Sequence, residues 1–227
     1  ALAAGERPAP RVAVLSPNDW RAFVPILAAF RAGGVWIPIN ARNSLADNID
    51  FLGLVEVDWL FFHSSMEPSV REIARALPGI SRLICLDTPL DGYASLHGLM
   101  AEHEQAPVPD IPEDPLRPVV MMQTGGTTGR SKAVVHSEAC WATMIATCWT
   151  LTPFEGRPVH LMAAPMTHGA GFLAYIWMAG GATSVVMDRV EPSWVLDAIE
   201  QHRITHMYLP PTALYSLLAY PGVRARD

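Results

Sequence analysis

The chain has 227 residues, half of them hydrophobic, with 17% charged residues and a formal net charge of -6. This is enough for one sizeable core or two smaller lobes, and an acidic balance with no basic run disfavours a nucleic-acid partner, which needs clustered Lys and Arg. Cys85, Cys140 and Cys148 form no CxxC pair and lie among apolar neighbours, so they read as buried, reduced thiols in a cytoplasmic protein.

The opening Ala1-Leu2-Ala3-Ala4-Gly5-Glu6-Arg7-Pro8 has no basic n-region and no long apolar core, so it does not read as a signal peptide. No methionine precedes it, and the chain reads as an interior piece of a longer protein. Arg11-Val12-Ala13-Val14-Leu15 predicts a buried strand. Ser16-Pro17-Asn18-Asp19 predicts a helix start with Ser16 at the N-cap. Phe23, Ile26, Leu27 and Phe30 give that helix an apolar face, Pro25 predicts a bend in it, and Gly33-Gly34 ends it. Val35-Trp36-Ile37-Pro38-Ile39 predicts a second strand whose proline marks an edge or a strand end. Ser44 opens a second helix, Trp59-Leu60-Phe61-Phe62 is a third strand, residues 67–77 are helical, and Leu83-Ile84-Cys85-Leu86 is a fourth strand. This alternation implies an α/β fold with a mostly parallel sheet flanked by helices.

Residues 87–118 are broken by six prolines (89, 107, 109, 112, 115 and 118) and carry several acidic residues. They predict a surface connector, ordered in part, with His97 and His103 solvated. Beyond residue 136, Ser137 caps a helix to about Thr150, with Trp141, Met144, Ile145, Cys148 and Trp149 expected in the core. Residues 158–187 contain no Asp, Glu, Lys or Arg. Pro165, His168 and Gly180-Gly181 interrupt them short of the ~20 apolar residues of a membrane helix, so they predict a buried strand–helix–strand and no membrane insertion. A helix from Glu191, a strand at Thr205-His206-Met207-Tyr208-Leu209 and a helix from Pro210 to about Leu218 follow. His202 and His206 have i,i+4 spacing but straddle a predicted helix-to-strand change, so no metal site is expected.

One stretch stands out. Thr124-Gly125-Gly126-Thr127-Thr128-Gly129-Arg130-Ser131-Lys132 places three glycines, three threonines and a lysine in nine residues between two apolar runs. Glycines let backbone approach a ligand closely, and successive N–H groups make an anion-binding concavity. Threonine hydroxyls add donors and Lys132 adds a mobile charge, so the loop reads as a phosphate cradle. A ligand-free Gly/Thr hairpin is the plain alternative. A P-loop is disfavoured: Arg130 and Ser131 separate Gly129 from Lys132, and Ala133-Val134-Val135-His136 predicts a strand where a P-loop opens a helix.

The stretch closely resembles the signature loop T-[SG]-G-[ST]-T-G-x-P-K-G of the AMP-forming acyl-CoA synthetases, in the adenylate-forming superfamily. Ala32-Gly33-Gly34-Val35-Trp36-Ile37-Pro38-Ile39-Asn40 resembles the stretch that closes the family's first βαβ unit. Pro165-Met166-Thr167-His168-Gly169-Ala170-Gly171 resembles its P-[LMF]-x-H-x-x-G turn. The resemblance runs from Arg11 to Leu218. It implies a partial N-terminal adenylation domain over residues 1–227, in which Thr124, Gly125, Gly126, Thr127, Thr128, Gly129 and Lys132 hold the β- and γ-phosphates of ATP. It also implies that His168, Gly169, Ala170 and Gly171 line the pocket for the carboxylic acid. The reaction it implies activates a fatty or aryl acid to an acyl-adenylate, releases pyrophosphate and then forms a thioester with coenzyme A; ATP, Mg2+ and coenzyme A are its cofactor and substrates, and oligomeric state is left open.

The sequence departs from the family in three places. Ser131 stands where proline is usual and predicts a less rigid loop. Ala133 stands where glycine is usual. Thr167 stands where an aromatic residue is common and leaves the identity of the acid open. Amino-acid-activating relatives carry an aspartate near the turn, and Met166-Thr167-His168 offers none. A buried ammonium without a partner costs several kcal/mol, so a simple carboxylic acid is expected instead. The family's adenine, ribose and magnesium stretches and its catalytic lysine fall beyond Asp227, so this piece alone is expected to bind phosphates weakly and not to turn over. A non-catalytic α/β nucleotide-binding module, or a short paralogue of the same fold, is the alternative from another class.

Overall fold

The computed structural model describes residues 9–108, 110–124, 131–152 and 154–226. The chain divides into two compact units. One holds the described residues through Ser16 together with Trp20–Thr143; the other holds Pro17–Asp19 and the residues from Met144 onward.

The first unit is a seven-stranded sheet. In chain order its strands are β1 (Arg11–Leu15), β2 (Val35–Ile37), β3 (Trp59–Phe62), β4 (Arg82–Cys85), β5 (Ala94–Ser95), β6 (Pro118–Thr124) and β7 (Lys132–Ser137). They lie in the order β5-β4-β3-β1-β2-β6-β7, all parallel except the β6–β7 pair. Helices α1 (Phe23–Arg31), α2 (Leu45–Leu54), α3 (Glu67–Ala76) and α4 (Leu96–Glu102) connect them. Successive strand residues point to opposite faces. Ala13, Leu15, Ile37, Leu60, Phe62 and Cys85 pack on one side with Phe51 and Leu52 of α2 and Val70 and Ile73 of α3. Val12, Val14, Trp36, Phe61 and Ile84 are buried as well. A sheet covered on both faces explains why these strands read as continuous apolar runs instead of alternating ones.

The predicted strands are present within about two residues, and Pro38 falls just past the end of β2, an interior strand. Ser44 caps α2 by accepting a bond from the Asp47 N–H at 3.1 Å. Gly33, at φ +73°, takes the left-handed turn after α1. The first helix begins later than expected. A 3-10 turn at Trp20–Ala22 precedes α1, and its N-cap is Ala22, not Ser16. Pro25 therefore lies in the first turn of α1, where its missing N–H leaves no helical bond unmade, and the reason to expect a bend disappears. The connector also differs: it contains α4 and the edge strand β5, with Ser95 capping α4 through the Gly98 N–H at 3.0 Å. His97 and His103 are exposed, as expected.

Helix α5 (Glu138–Leu151) follows the hairpin. Its expected core residues Trp141, Met144, Ile145, Cys148 and Trp149 share a half-buried stripe, but no residue of α5 is fully buried. Trp141 packs against Phe30 and Trp36 at ring-centroid distances of 5.5 and 6.3 Å. The reading of the cysteines is corrected likewise: all are free, but Cys85 alone is buried, while Cys148 is half-buried and Cys140 exposed.

The second unit is a three-stranded parallel sheet, β10-β8-β9, formed by β8 (Val159–Met162), β9 (Thr183–Val186) and β10 (His206–Met207). Helices α6 (Gly169–Ala179), α7 (Pro192–His202) and α8 (Pro211–Leu218) complete it. Leu161, Ala163, Val195, Leu196, Ala198 and Leu217 form its core. Residues 158–187 thus fold as β8–α6–β9, and among the described residues no helix is long and apolar enough to cross a membrane. Gly180 ends α6 under the indole of Trp149, so close that a β-carbon there would overlap the ring. The Trp149 Nε1–H in turn donates to the Ile176 carbonyl at 2.7 Å.

Candidate nucleotide and acyl site

In the first unit the site is a β-hairpin. β6 lies parallel to β2, with Trp36 opposite Val120, so it is fixed to the covered part of the sheet. β7 pairs antiparallel to β6 in the register Met122↔Val134, Gln123↔Ala133 and Thr124↔Lys132. The last pair is the one that borders the Gly/Thr-rich stretch between the two strands. Residues directly opposite in an antiparallel pair have side chains on one face, with Cβ atoms about 5 Å apart. The side chains of Thr124 and the exposed Lys132 thereby start from the same face of the hairpin. Gly125, Gly126, Thr127, Thr128 and Gly129 lie outside the described residues.

Ser131, the departure from the usual proline, has its own tie. The Gln123 Nε2–H donates to Ser131 Oγ at 2.8 Å, one pair inside the loop mouth. Proline would restrict the backbone at this position through its ring; serine is tied instead by a side-chain bond across the hairpin. Ser131→Ala is expected to lower stability by about 1 kcal/mol through loss of one hydrogen bond; urea unfolding of parent and variant checks it. At its far end the hairpin is held by Arg117, whose Nη2 lies 2.8 Å from Glu138 Oε2 and whose carbonyl accepts the Glu138 N–H at 2.9 Å. Ser137 caps α5 through the Cys140 N–H at 3.3 Å.

In the second unit the site is the turn after β8. His168 is the N-cap of α6, and its N–H bonds the Pro165 carbonyl at 3.3 Å while its carbonyl accepts the Gly171 N–H at 2.9 Å. Its ring is half-buried, and burial holds the imidazole below its ordinary pKa of 6.5. It is therefore mostly uncharged at neutral pH. Ala170 and Gly171 are buried and Gly169 is half-buried. The four predicted acyl-site residues thus lie together on the first turn of α6 and its cap.

The residue that sequence reasoning missed is Asn18. It was expected inside a helix start; instead the short segment Pro17–Asp19 packs with the second unit. Asn18 Nδ2 lies 2.7 Å from the Met187 carbonyl, 3.0 Å from that of Ala164, 3.2 Å from that of Ala163 and 3.4 Å from that of Met162. Its Oδ1 accepts the Met166 N–H at 2.8 Å. The Asp19 N–H lies 3.2 Å from Met166 Sδ. An asparagine after a proline reads as a local turn residue, and no local pattern points to partners 144 to 169 positions away.

His202 ends α7 and His206 lies in β10, so the two do not share a helix face. Among the described residues no group of three His, Cys, Asp or Glu is placed to hold a metal ion.

Comparison with known proteins places these features in a lineage. The model of the family described as AMP-binding enzyme matches residues 1–227. A methyl-dioxo-octahydro-indenyl-propanoyl:CoA ligase of Mycobacterium tuberculosis is 28% identical over 241 residues, covering 100% of this chain and 46% of that protein. A feruloyl-CoA synthase of an Amycolatopsis species is 29% identical over 231 residues, covering 99% of this chain and 43% of that one. Among solved structures, an amide bond synthetase of Marinactinospora thermotolerans superposes with a TM-score of 0.80 at 26% identity, over 99% of this chain and 44% of its own. The chain thus spans a little under half the length of the curated relatives it matches.

Proposed function

The chain belongs to the AMP-binding enzyme family, and on that premise we propose that the whole protein is an AMP-forming acid–thiol ligase. It joins a carboxylic acid to ATP as an acyl-adenylate, releases pyrophosphate, and passes the acyl group to coenzyme A. The observation that carries this reading is the hairpin register: Thr124 pairs with Lys132 at the two ends of the Gly/Thr-rich stretch. In the adenylation step a carboxylate oxygen attacks the α-phosphorus and the bond to pyrophosphate breaks. Charge grows on the leaving β- and γ-phosphates, where Lys132 and the loop donors act. Magnesium would come bound to the ATP phosphates, and among the described residues no group of three His, Cys, Asp or Glu is placed to hold it. It neutralises phosphate charge when bound.

The acid is proposed to sit at the first turn of α6. His168, whose pKa burial holds below its ordinary value of 6.5, presents a flat, mostly neutral ring suited to an apolar or aromatic acyl group. Met166, Thr167 and His168 supply no carboxylate, which disfavours an amino acid. Relatives named for feruloyl and indenyl-propanoyl groups, and one named for medium- and long-chain fatty acids that is 35% identical over about half of this chain, support a fatty, aryl or other cyclic acid.

The test is ATP–pyrophosphate exchange by the whole protein with a panel of aryl, cyclic and fatty acids, followed by coenzyme A capture. Exchange that depends on one class of acid supports the proposal and names the substrate. A folded, ATP-binding protein that exchanges with no acid moves the reading to a non-catalytic nucleotide-binding module. Transfer to an amine in place of coenzyme A would align it with the amide bond synthetase.

A further inference from the structure

Asn18 belongs to none of the sequence motifs, yet its side chain holds more of the acyl-site backbone than any motif residue is seen to hold. Its amide spans the carboxyl ends of β8 and β9, the end of a parallel sheet at which α/β proteins receive ligands. On the β9 side Nδ2 holds the Met187 carbonyl at 2.7 Å, directly after the last sheet bond, from the Met187 N–H to Met162 O at 2.9 Å. On the β8 side it reaches the Ala164 carbonyl at 3.0 Å, and Oδ1 takes the Met166 N–H at 2.8 Å. Ala163, Ala164, Met166 and Thr167 are all buried, so water is excluded from much of the segment that Asn18 satisfies. Two residues after Met166 the chain delivers His168 to the cap of α6.

We infer that Asn18 is a positioning residue for the acid pocket: through its paired donor and acceptor it fixes where the turn at 163–167 leaves the sheet, and hence where His168 stands. This rests on the functional reading above. Asparagine suits the task because one end of its side chain donates and the other accepts. Aspartate keeps an acceptor for the Met166 N–H but turns a carboxylate toward the carbonyls of Ala164 and Met187. Leucine fills similar volume and makes neither bond.

The experiment compares Asn18→Leu, Asn18→Asp and the milder Asn18→Ser in the whole protein, well below each variant's Tm. A displacement of about 1 Å in a positioned group costs as much as 10²-fold. Asn18→Leu is therefore expected to raise the KM for the acid about tenfold or more with the KM for ATP within about twofold, Asn18→Ser to do so less, and Asn18→Asp to be the worst of the three. The second readout needs no activity. The His168 ring, followed by NMR titration, is expected to move back toward its ordinary pKa in Asn18→Leu and Asn18→Ser. If the acid and ATP KM values rise alike, or if the His168 titration and the acid KM are both unmoved in a folded variant, the inference fails. If the parent protein exchanges with no acid, the ligase reading fails instead, and the NMR titration still decides whether Asn18 positions His168. Should Asn18→Leu not fold, Asn18→Ser carries both readouts.

Discussion

Lys132→Ala is expected to lower kcat/KM for acid-dependent pyrophosphate exchange by about 10²–10³-fold, the scale set by removing one donor from a developing anion. Lys132 is the first residue of β7, so its backbone is fixed by the ladder to Thr124 while its side chain is exposed. Pyrophosphate carries more charge as it leaves than as part of ATP. An ammonium placed there therefore stabilises the transition state more than the ground state, and the loss is expected mainly in kcat. Lys132→Arg keeps the charge but spreads it over a planar fork, so it is expected to recover part of the rate. Lys132 is exposed, and substitution at such a surface position normally leaves stability within about 0.5 kcal/mol. Equal melting temperatures would thus accompany a large kinetic defect. Exchange within about threefold of the parent in Lys132→Ala would remove Lys132 from the phosphate site.

What was legible in the sequence follows the range of the interactions involved. β1, β3 and β4 are buried runs bounded by turn residues, and the hairpin flanks were visible as apolar segments on either side of Gly and Thr; their signals are local. The late start of α1 was not visible, because Ser16-Pro17-Asn18-Asp19 has good local helix-start chemistry. Tertiary bonds override it: Asn18 is committed to the backbone of β8, β9 and the following turn, and the Asp19 N–H to Met166. The composition of 87–118 hid α4 in the same way. A two-residue edge strand and a short capped helix leave little periodicity to detect among prolines and acids. For α5, hydrophobicity was a poor guide to depth: Trp141 and Trp149 find ring partners and Trp149 a carbonyl, yet the helix remains half-exposed. At the candidate site, the motif residues could be read one by one, but the Gln123–Ser131 bond and the grip of Asn18 are pairings that only the fold brings about.

The second large effect is on stability. His160 lies in β8 opposite His206 of β10, is 1% exposed, and its Nδ1 has no hydrogen-bond partner among the described residues. Its ring centroid is 6.5 Å from that of Trp177, which is itself 3.9 Å from His206. Burial first, and the neighbouring His206 charge second, push the His160 pKa down from 6.5 to about 4. Between these two values the unfolded chain binds a proton that the folded chain refuses. The folded state therefore keeps its full stability above about pH 6.5 and loses it as pH falls toward 4. A gap of this size corresponds to roughly 3 kcal/mol, a large part of the stability of an ordinary domain. His206 and His168 are lowered too, by burial, and contribute in the same direction. His160→Leu removes the titrating group and forfeits no Nδ1 hydrogen bond, so at pH 7 its stability is expected to remain close to the parent's, while its loss between pH 7 and pH 4 shrinks by roughly 3 kcal/mol. Urea unfolding at a series of pH values, followed by tryptophan emission, measures both slopes. Parallel slopes for parent and variant would show that His160 takes up its proton as readily in the folded chain as in the unfolded one, and would overturn the assignment of this acid sensitivity to the buried imidazole.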